Sequence, residues 1–354
     1  MREEPTDLGS AHGNPATGTE TATPADLIGE GKGHQLGGRL QEAAECFAQA
    51  IDVASTLDEG APMAEGFRRL GIVHHLQGET ETGIHFCQRS RDLATGLGES
   101  VLAAEATMAL ANMACGQGRM DEAREYYCAA LALSPGHPDL AARIEQNLGI
   151  VESVQGNLAA ALEHYRRALQ AYEATHNVLG RARAYHNIGM ICADQKEWDA
   201  AHRAYEHAAA LARQGGDYHL QGLCLLNHAE IELEHKRYEE VRRRAEAALA
   251  IFDRLGARVD MADAFRMLGT ALRFLKRPTL AESRLRSALE IAANAGVPLT
   301  EAESCRDIAF LFVETGRSGE ALGFMDRALV LFKQLGATLD AAALSERRTE
   351  LLAA

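Results

Sequence analysis

NLGIVESVQGNLAAALEHYRRAL, residues 147–169, is the stretch whose reading decides the fold. The pair Leu148-Gly149 stands seven residues before Gly156, and Ala161, Tyr165 and Ala168-Leu169 follow it. Small and bulky residues spaced by three and four lie on one face of a helix. The intervening glycine is where one helix ends cheaply and its partner begins. One such hairpin cannot bury its apolar face alone, so the question is whether the pattern recurs.

It recurs in register along the chain. Pairs of an apolar and a small residue occur at Leu70-Gly71, Leu110-Ala111, Leu148-Gly149, Ile188-Gly189, Leu268-Gly269 and Ile308-Ala309, with His228-Ala229 in the same place. The small members are 40, 38, 40, 40, 40 and 40 residues apart, and Gly31 extends the series backward. Seven residues after each comes a turn position: Gly38, Gly78, Gly118, Gly156, Lys196, Lys236, Lys276 and Gly316. The second-helix signature reappears as Ala43, Phe47, Ala50-Ile51, then Ala123, Tyr127, Ala130-Leu131, then Ala201, Tyr205, Ala208. It closes with Ala281, Leu285, Ala288-Leu289 and Ala321, Met325, Ala328-Leu329. Small residues let two helix backbones approach, and the bulky one fills the gap to the next pair. Further breaks fall between repeats at 96–98, 134–138, 175–177, 215–216, 255–257, 295–298 and 335–337.

These residues resemble the tetratricopeptide repeat, from about residue 25 to 337, in eight copies. The 40-residue period exceeds the standard unit of about 34. It is similar to the longer units of Pins/LGN adaptors, kinesin light chains and the sensor arms of bacterial regulators of the MalT and SARP types. The resemblance implies an all-α fold, a right-handed α-solenoid of about eight helix-turn-helix repeats. Residues 338–354, with Asp340 near their start and Glu346-Arg347-Arg348 on one face, are expected to form a polar capping helix. Residues 1–24 carry almost no large apolar side chain and are expected to be a disordered tail.

Composition supports a long array of small-residue contacts: 354 residues, 47% hydrophobic but only 5% aromatic, with one Trp. A net charge of −14 repels phosphate backbones and anionic lipid, which argues against direct nucleic-acid or membrane binding. No run approaches a membrane span and the start lacks a secretion signal, so a cytoplasmic location is expected. Seven cysteines at scattered helical positions, without a Cys-x-x-Cys pair, read as reduced and mostly buried thiols. The fourteen histidines match no ligand spacing, so no metal and no cofactor is expected. No Gly-x-Ser-x-Gly elbow, phosphate loop or dinucleotide fingerprint occurs, and the reading is of a non-enzyme.

In the family the first helix of each repeat lines a groove. Carried over residue by residue, the resemblance implies Asn112 in repeat three, Arg143 and Asn147 in repeat four, and Arg183, His186 and Asn187 in repeat five. It implies Leu223, Leu226 and Asn227 in repeat six, Arg266 and Arg273 in repeat seven, and Arg306 in repeat eight. Arg68 and Met108 belong to the same surface in repeats two and three. Asn147, Asn187 and Asn227 form a ladder at steps of 40, and an amide can pair with the backbone of an extended peptide. The alternative is that each Asn bonds a neighbouring helix and stabilises stacking. Leu223 and Leu226 would receive an apolar anchor, and the arginines an acidic or amphipathic segment. Alternatively the acidic residues Glu65, Glu105, Asp263 and Glu303 neutralise them locally. A carboxylate clamp set on positions 108, 112, 147, 183 and 187 finds Met108, Asn112, Asn147, Arg183 and Asn187, and three of the five fit.

The function expected is therefore a non-catalytic scaffold binding another protein or peptide, in bacterial regulation as the Ala- and Arg-rich composition suggests. The alternative is an effector-sensing arm without its own DNA-binding domain, and an enzyme or biosynthetic accessory ranks third. The oligomeric state stays open.

Overall fold

The computed structural model describes residues 22–353, so the expected tail lies mostly outside the described residues. Among them are seventeen α-helices and no strand. They fall into two compact units divided after Arg119. The first holds α1 (Pro24–Leu36), α2 (Leu40–Thr56), α3 (Gly60–Leu76), α4 (Thr80–Gly96) and α5 (Ser100–Gly116). The second holds α6 (Met120–Ala132), α7 (Pro138–Val154), α8 (Leu158–Ala174), α9 (Val178–Asp194), α10 (Trp198–Gly215), α11 (Tyr218–Glu234) and α12 (Tyr238–Leu255). It continues through α13 (Arg258–Phe274), α14 (Pro278–Ala295), α15 (Pro298–Glu314), α16 (Ser318–Gln334) and α17 (Thr338–Ala353). Within each unit, each helix packs on the next to give stacked helical hairpins.

The period follows from the parts. Helices of 17 residues joined by three-residue turns advance the chain by 20 residues each and by 40 per hairpin. The one 38-residue step coincides with the short α6, 13 residues long, and a five-residue link to α7. All eight expected turn positions have positive φ, including Lys196 at 60°, Lys236 at 59° and Lys276 at 60°. A second set of left-handed residues closes the second helices: Asp58, Gly98, Gly136, His176, Gly216, Gly256, Gly296 and Gly336. Asp58 was not legible as a break, because nothing marks an isolated Asp as the residue that will take φ > 0.

The small residues do the packing work assigned to them. A Cβ on Gly149 would stand 2.5 Å from Tyr165 Cε1, and one on Gly189 2.6 Å from Tyr205 Cε1. Repeat eight solves the same contact differently, with Ala309 and Met325 both fully buried. The first helix starts one residue earlier than expected: Thr23 caps it, its hydroxyl accepting from the Asp26 N–H while the Asp26 carboxylate accepts from the Thr23 N–H. Pro24 occupies the first turn, where its missing N–H costs nothing. At the other end α17 buries Ala341 and Leu344 and leaves Glu346, Arg347 and Glu350 in solvent. All seven cysteines are free thiols, with Cys87, Cys192, Cys224 and Cys305 buried and Cys128 exposed. No described helix is long and apolar enough to cross a membrane.

Candidate peptide-binding face

Because the second unit repeats every 40 residues from α7 on, side chains 40 apart form columns running across α9, α11, α13 and α15. One column holds Arg183, Leu223, Asp263 and Glu303, and another His186, Leu226, Arg266 and Arg306. A third holds Asn187, Asn227, Met267 and Asp307, and the last Asp194, Glu234, Phe274 and Glu314. Toward α17 this face opens into a cavity of about 630 Å³ lined by Glu234, Tyr238, Arg266, Thr270, Arg273, Phe274, Arg306, Asp307, Phe310 and Asp340 among others.

The arginines expected to await an acidic ligand are engaged by the chain's own carboxylates. Arg266 lies 3.3 Å from Glu303 and 3.6 Å from Asp307. Arg306 donates to Asp307 at 3.1 Å and to Asp340 at 3.2 Å. Arg273 stands 3.5 Å from Glu314, with its guanidinium over the rings of Phe274 and Phe310. Arg183, mostly exposed, comes within 3.5 Å of Asp217. In the first unit Arg68 is buried, pairing with Glu65 and reaching Glu105 at 2.8 Å. Its charge is already neutralised, so it does not line an open surface, and Met108 is likewise buried.

Leu226 is not an apolar anchor waiting for a ligand. It sits in the core with Ala229, Val241 and Met267, and Leu223 packs against that core, half-buried. The reason is the helix period: position 226 lies three residues before Ala229, on the face turned toward the next repeat. Asn227 donates through Nδ2 to His186 Nε2 of the preceding repeat at 3.0 Å. This is the stacking alternative at that rung. Burial holds His186 below its usual range, opposed by its hydrogen bond to Asn187. Asn147 is half-buried on α7, Arg143 is exposed on the same helix, and Asn112 is exposed on α5 of the first unit.

What the arginines leave over is negative charge. Asp194, Glu230, Glu234 and Asp263 have no ion-pair partner among the described residues. Glu230 touches water but stands in a surface crowded by protein atoms. Burial pushes it up, Arg266 opposes, and Glu303, Asp194 and Glu234 add to the rise. Asp263 is raised by burial against the pull of Arg266 and a 3.1 Å hydrogen bond from Thr300. Burial raises Glu303 and Asp194 in the same way. At each of these carboxylates the cost of burying the charge outweighs whatever positive charge stands nearby. Beside them Tyr238 and Phe274 stack with centroids 4.5 Å apart, and Phe274 also carries the Arg273 guanidinium. Asp194, Glu234, Tyr238 and Phe274 went unread in the sequence. The 40-residue column 194, 234, 274, 314 was there to find, but nothing in the sequence says that this column faces inward.

A family model described as tetratricopeptide repeat matches residues 62–136, 140–214 and 180–254. A search of curated protein sequences gives no match. Among solved structures, aspartyl phosphate phosphatase F from Bacillus subtilis is similar at 12% identity and TM-score 0.65, over 89% of this chain and 85% of that one. A Rap protein complexed with Competence and Sporulation Factor is similar at 14% identity and TM-score 0.60, over 93% and 97%. BtubC from P. vanneervenii is similar at 21% identity and TM-score 0.54, over 60% and 91%. At these identities the likeness concerns the fold.

Proposed function

Because the chain belongs to the tetratricopeptide-repeat family, a family of protein-binding helical arrays, we propose that it is a regulatory adaptor. In this reading the inner faces of α9, α11, α13 and α15 bind an extended peptide segment through a basic side chain. The observation that carries the reading is the group Asp194, Glu230, Glu234 and Asp263, none of them in an ion pair among the described residues, with Asp194, Glu230 and Asp263 raised by burial and Glu230 raised further by Glu303, Asp194 and Glu234. A Lys or Arg brought among them gains charge-assisted hydrogen bonds and relieves that repulsion. An acidic segment, the expectation from the arginines alone, would meet like charge with the guanidinium groups already occupied. The half-buried amide of Asn187 remains suited to hold peptide backbone, and the aromatic wall of Tyr238, Phe274 and Phe310 to pack an apolar neighbour of the basic residue. The similar Rap structure holds Competence and Sporulation Factor, which is consistent with a fold of this kind serving as an effector receptor.

The test is selection of a random peptide library on the full chain, followed by fluorescence anisotropy on the enriched sequences. Enrichment of Lys or Arg is expected. The double variant Glu230→Gln with Asp263→Asn should weaken binding about tenfold, the value of one such contact at ~1.4 kcal/mol. Enrichment of acidic peptides, or affinity unchanged in the double variant, refutes the assignment.

A further inference from the structure

The first hairpin brings together three side chains that no part of the peptide-binding reading uses. Glu30 and His34 are four residues apart on one face of α1, and Cys46 faces them from α2. Their ligand atoms all lie within 4.8 Å of one another, the one such grouping of three among the described residues. His34 Nε2 and Glu30 Oε1 are 3.6 Å apart. Two ligands of one tetrahedral zinc ion, each at ~2.0–2.2 Å, stand about 3.4 Å apart. The separation found is therefore close to what a shared ion needs.

We propose that Glu30, His34 and Cys46 form a binding site for a divalent metal of the zinc class, with three protein ligands and the fourth position open to water. The donor set selects the metal. A thiolate with an imidazole suits Zn(II) and its Co(II) surrogate, whereas Mg(II) and Ca(II) require oxygen donors throughout. Glu45 adds a second negative charge near the thiol, so an arriving cation is electrostatically favoured. Thiolate and carboxylate together balance the charge of the ion, and binding releases the thiol proton to solvent. His34 and Cys46 are half-buried and Glu30 exposed, which leaves a path for entry and for the water.

One contact opposes the metal. Arg39, exposed in the turn between α1 and α2, donates from Nε to His34 Nδ1 at 2.9 Å, which leaves the ring proton on Nε2. A metal at Nε2 moves that proton to Nδ1 and displaces Arg39. Arg39 thus competes with the ion.

The experiment uses the full chain, reduced and stripped with a chelator, titrated with Co(II) and then Zn(II). One equivalent of Co(II) should produce a thiolate-to-cobalt charge-transfer band in the near ultraviolet, which Zn(II) then abolishes. Cys46→Ser should lose the band, His34→Ala and Glu30→Gln should weaken Co(II) binding at least tenfold, and Arg39→Ala should tighten it. Far-ultraviolet circular dichroism checks that each variant stays helical. Absence of a stoichiometric band, or its survival in Cys46→Ser, overturns the proposal. A saturating ion should also raise the thermal midpoint of the wild type and leave that of Cys46→Ser in place, because it binds only the folded hairpin.

Discussion

Gly149 and Tyr165 offer the sharpest check on how the repeats are held together. Adding one methyl at Gly149 places a carbon 2.5 Å from Cε1 and 2.7 Å from Cδ1 of a ring that is 4% exposed. Neither partner can yield easily, since the contact is to the side of an aromatic ring and not to the end of a flexible chain. Gly149→Ala gains helix propensity of ~1 kcal/mol, yet overpacking of this kind costs about 1–3 kcal/mol and can exceed it. The net expected is a loss of up to ~2 kcal/mol. Repeat eight shows what would accommodate the methyl, because Ala309 packs with Met325 there and both are fully buried. Tyr165→Met in the Gly149→Ala background should therefore recover stability, with a coupling of at least ~1 kcal/mol between the two sites. The assay is urea unfolding of the wild type, both single variants and the double variant, followed by far-ultraviolet circular dichroism. Additive effects of the two substitutions would refute the claim that the small residue is there to admit the ring.

Two further outcomes are expected. Lys196 holds φ at 60° in a turn where five of the eight repeats have glycine; Lys196→Gly should stabilise by up to ~1 kcal/mol, while Lys196→Val, β-branched and ill suited to that region, should destabilise by about 1–2 kcal/mol, and equal effects in thermal unfolding would dismiss the strain argument. His228 is buried, and its pKa is lowered from 6.5 to about 3 by burial, with Arg244 and His202 adding to the fall. The unfolded chain therefore takes the proton first, so the contribution of the neutral ring is present above pH 6.5 and is lost as pH falls toward 3, amounting to about 2 kcal/mol by pH 5. The difference in unfolding free energy between pH 7 and pH 5 should be smaller by that amount in His228→Gln, and an unchanged difference would show that another group carries the acid sensitivity.

The recurrence of Leu-Gly, Gly, Ala-Tyr and Ala-Leu at a 40-residue step determined the hairpin array by itself, because each of those residues acts within its own hairpin or on the next one. Backbone approach at Gly149 and Gly189 and positive φ at Gly156 or Gly316 are local requirements, and local requirements leave a mark at fixed spacing. The turn lysines were placed by that register alone, although lysine carries no turn signal of its own.

Only the tertiary structure decided which charges are spent. Arg266 and Glu303, or Arg306 and Asp340, are more than thirty residues apart, and their pairing depends on how adjacent repeats are rotated against each other. The sequence offered both a basic groove and a neutralised one. Packing selected the second and left Asp194, Glu230, Glu234 and Asp263 in excess. The same holds for Leu226, whose apolar side chain suits an anchor or a core equally well until the next helix is seen to cover it. Cys46 and His34 carry no ligand spacing along the chain because a hairpin turn, and not a helix repeat, brings them together. Contacts that depend on the angle between neighbouring helices leave no periodic trace, and in this protein those contacts decide which charges on this face stay unpaired.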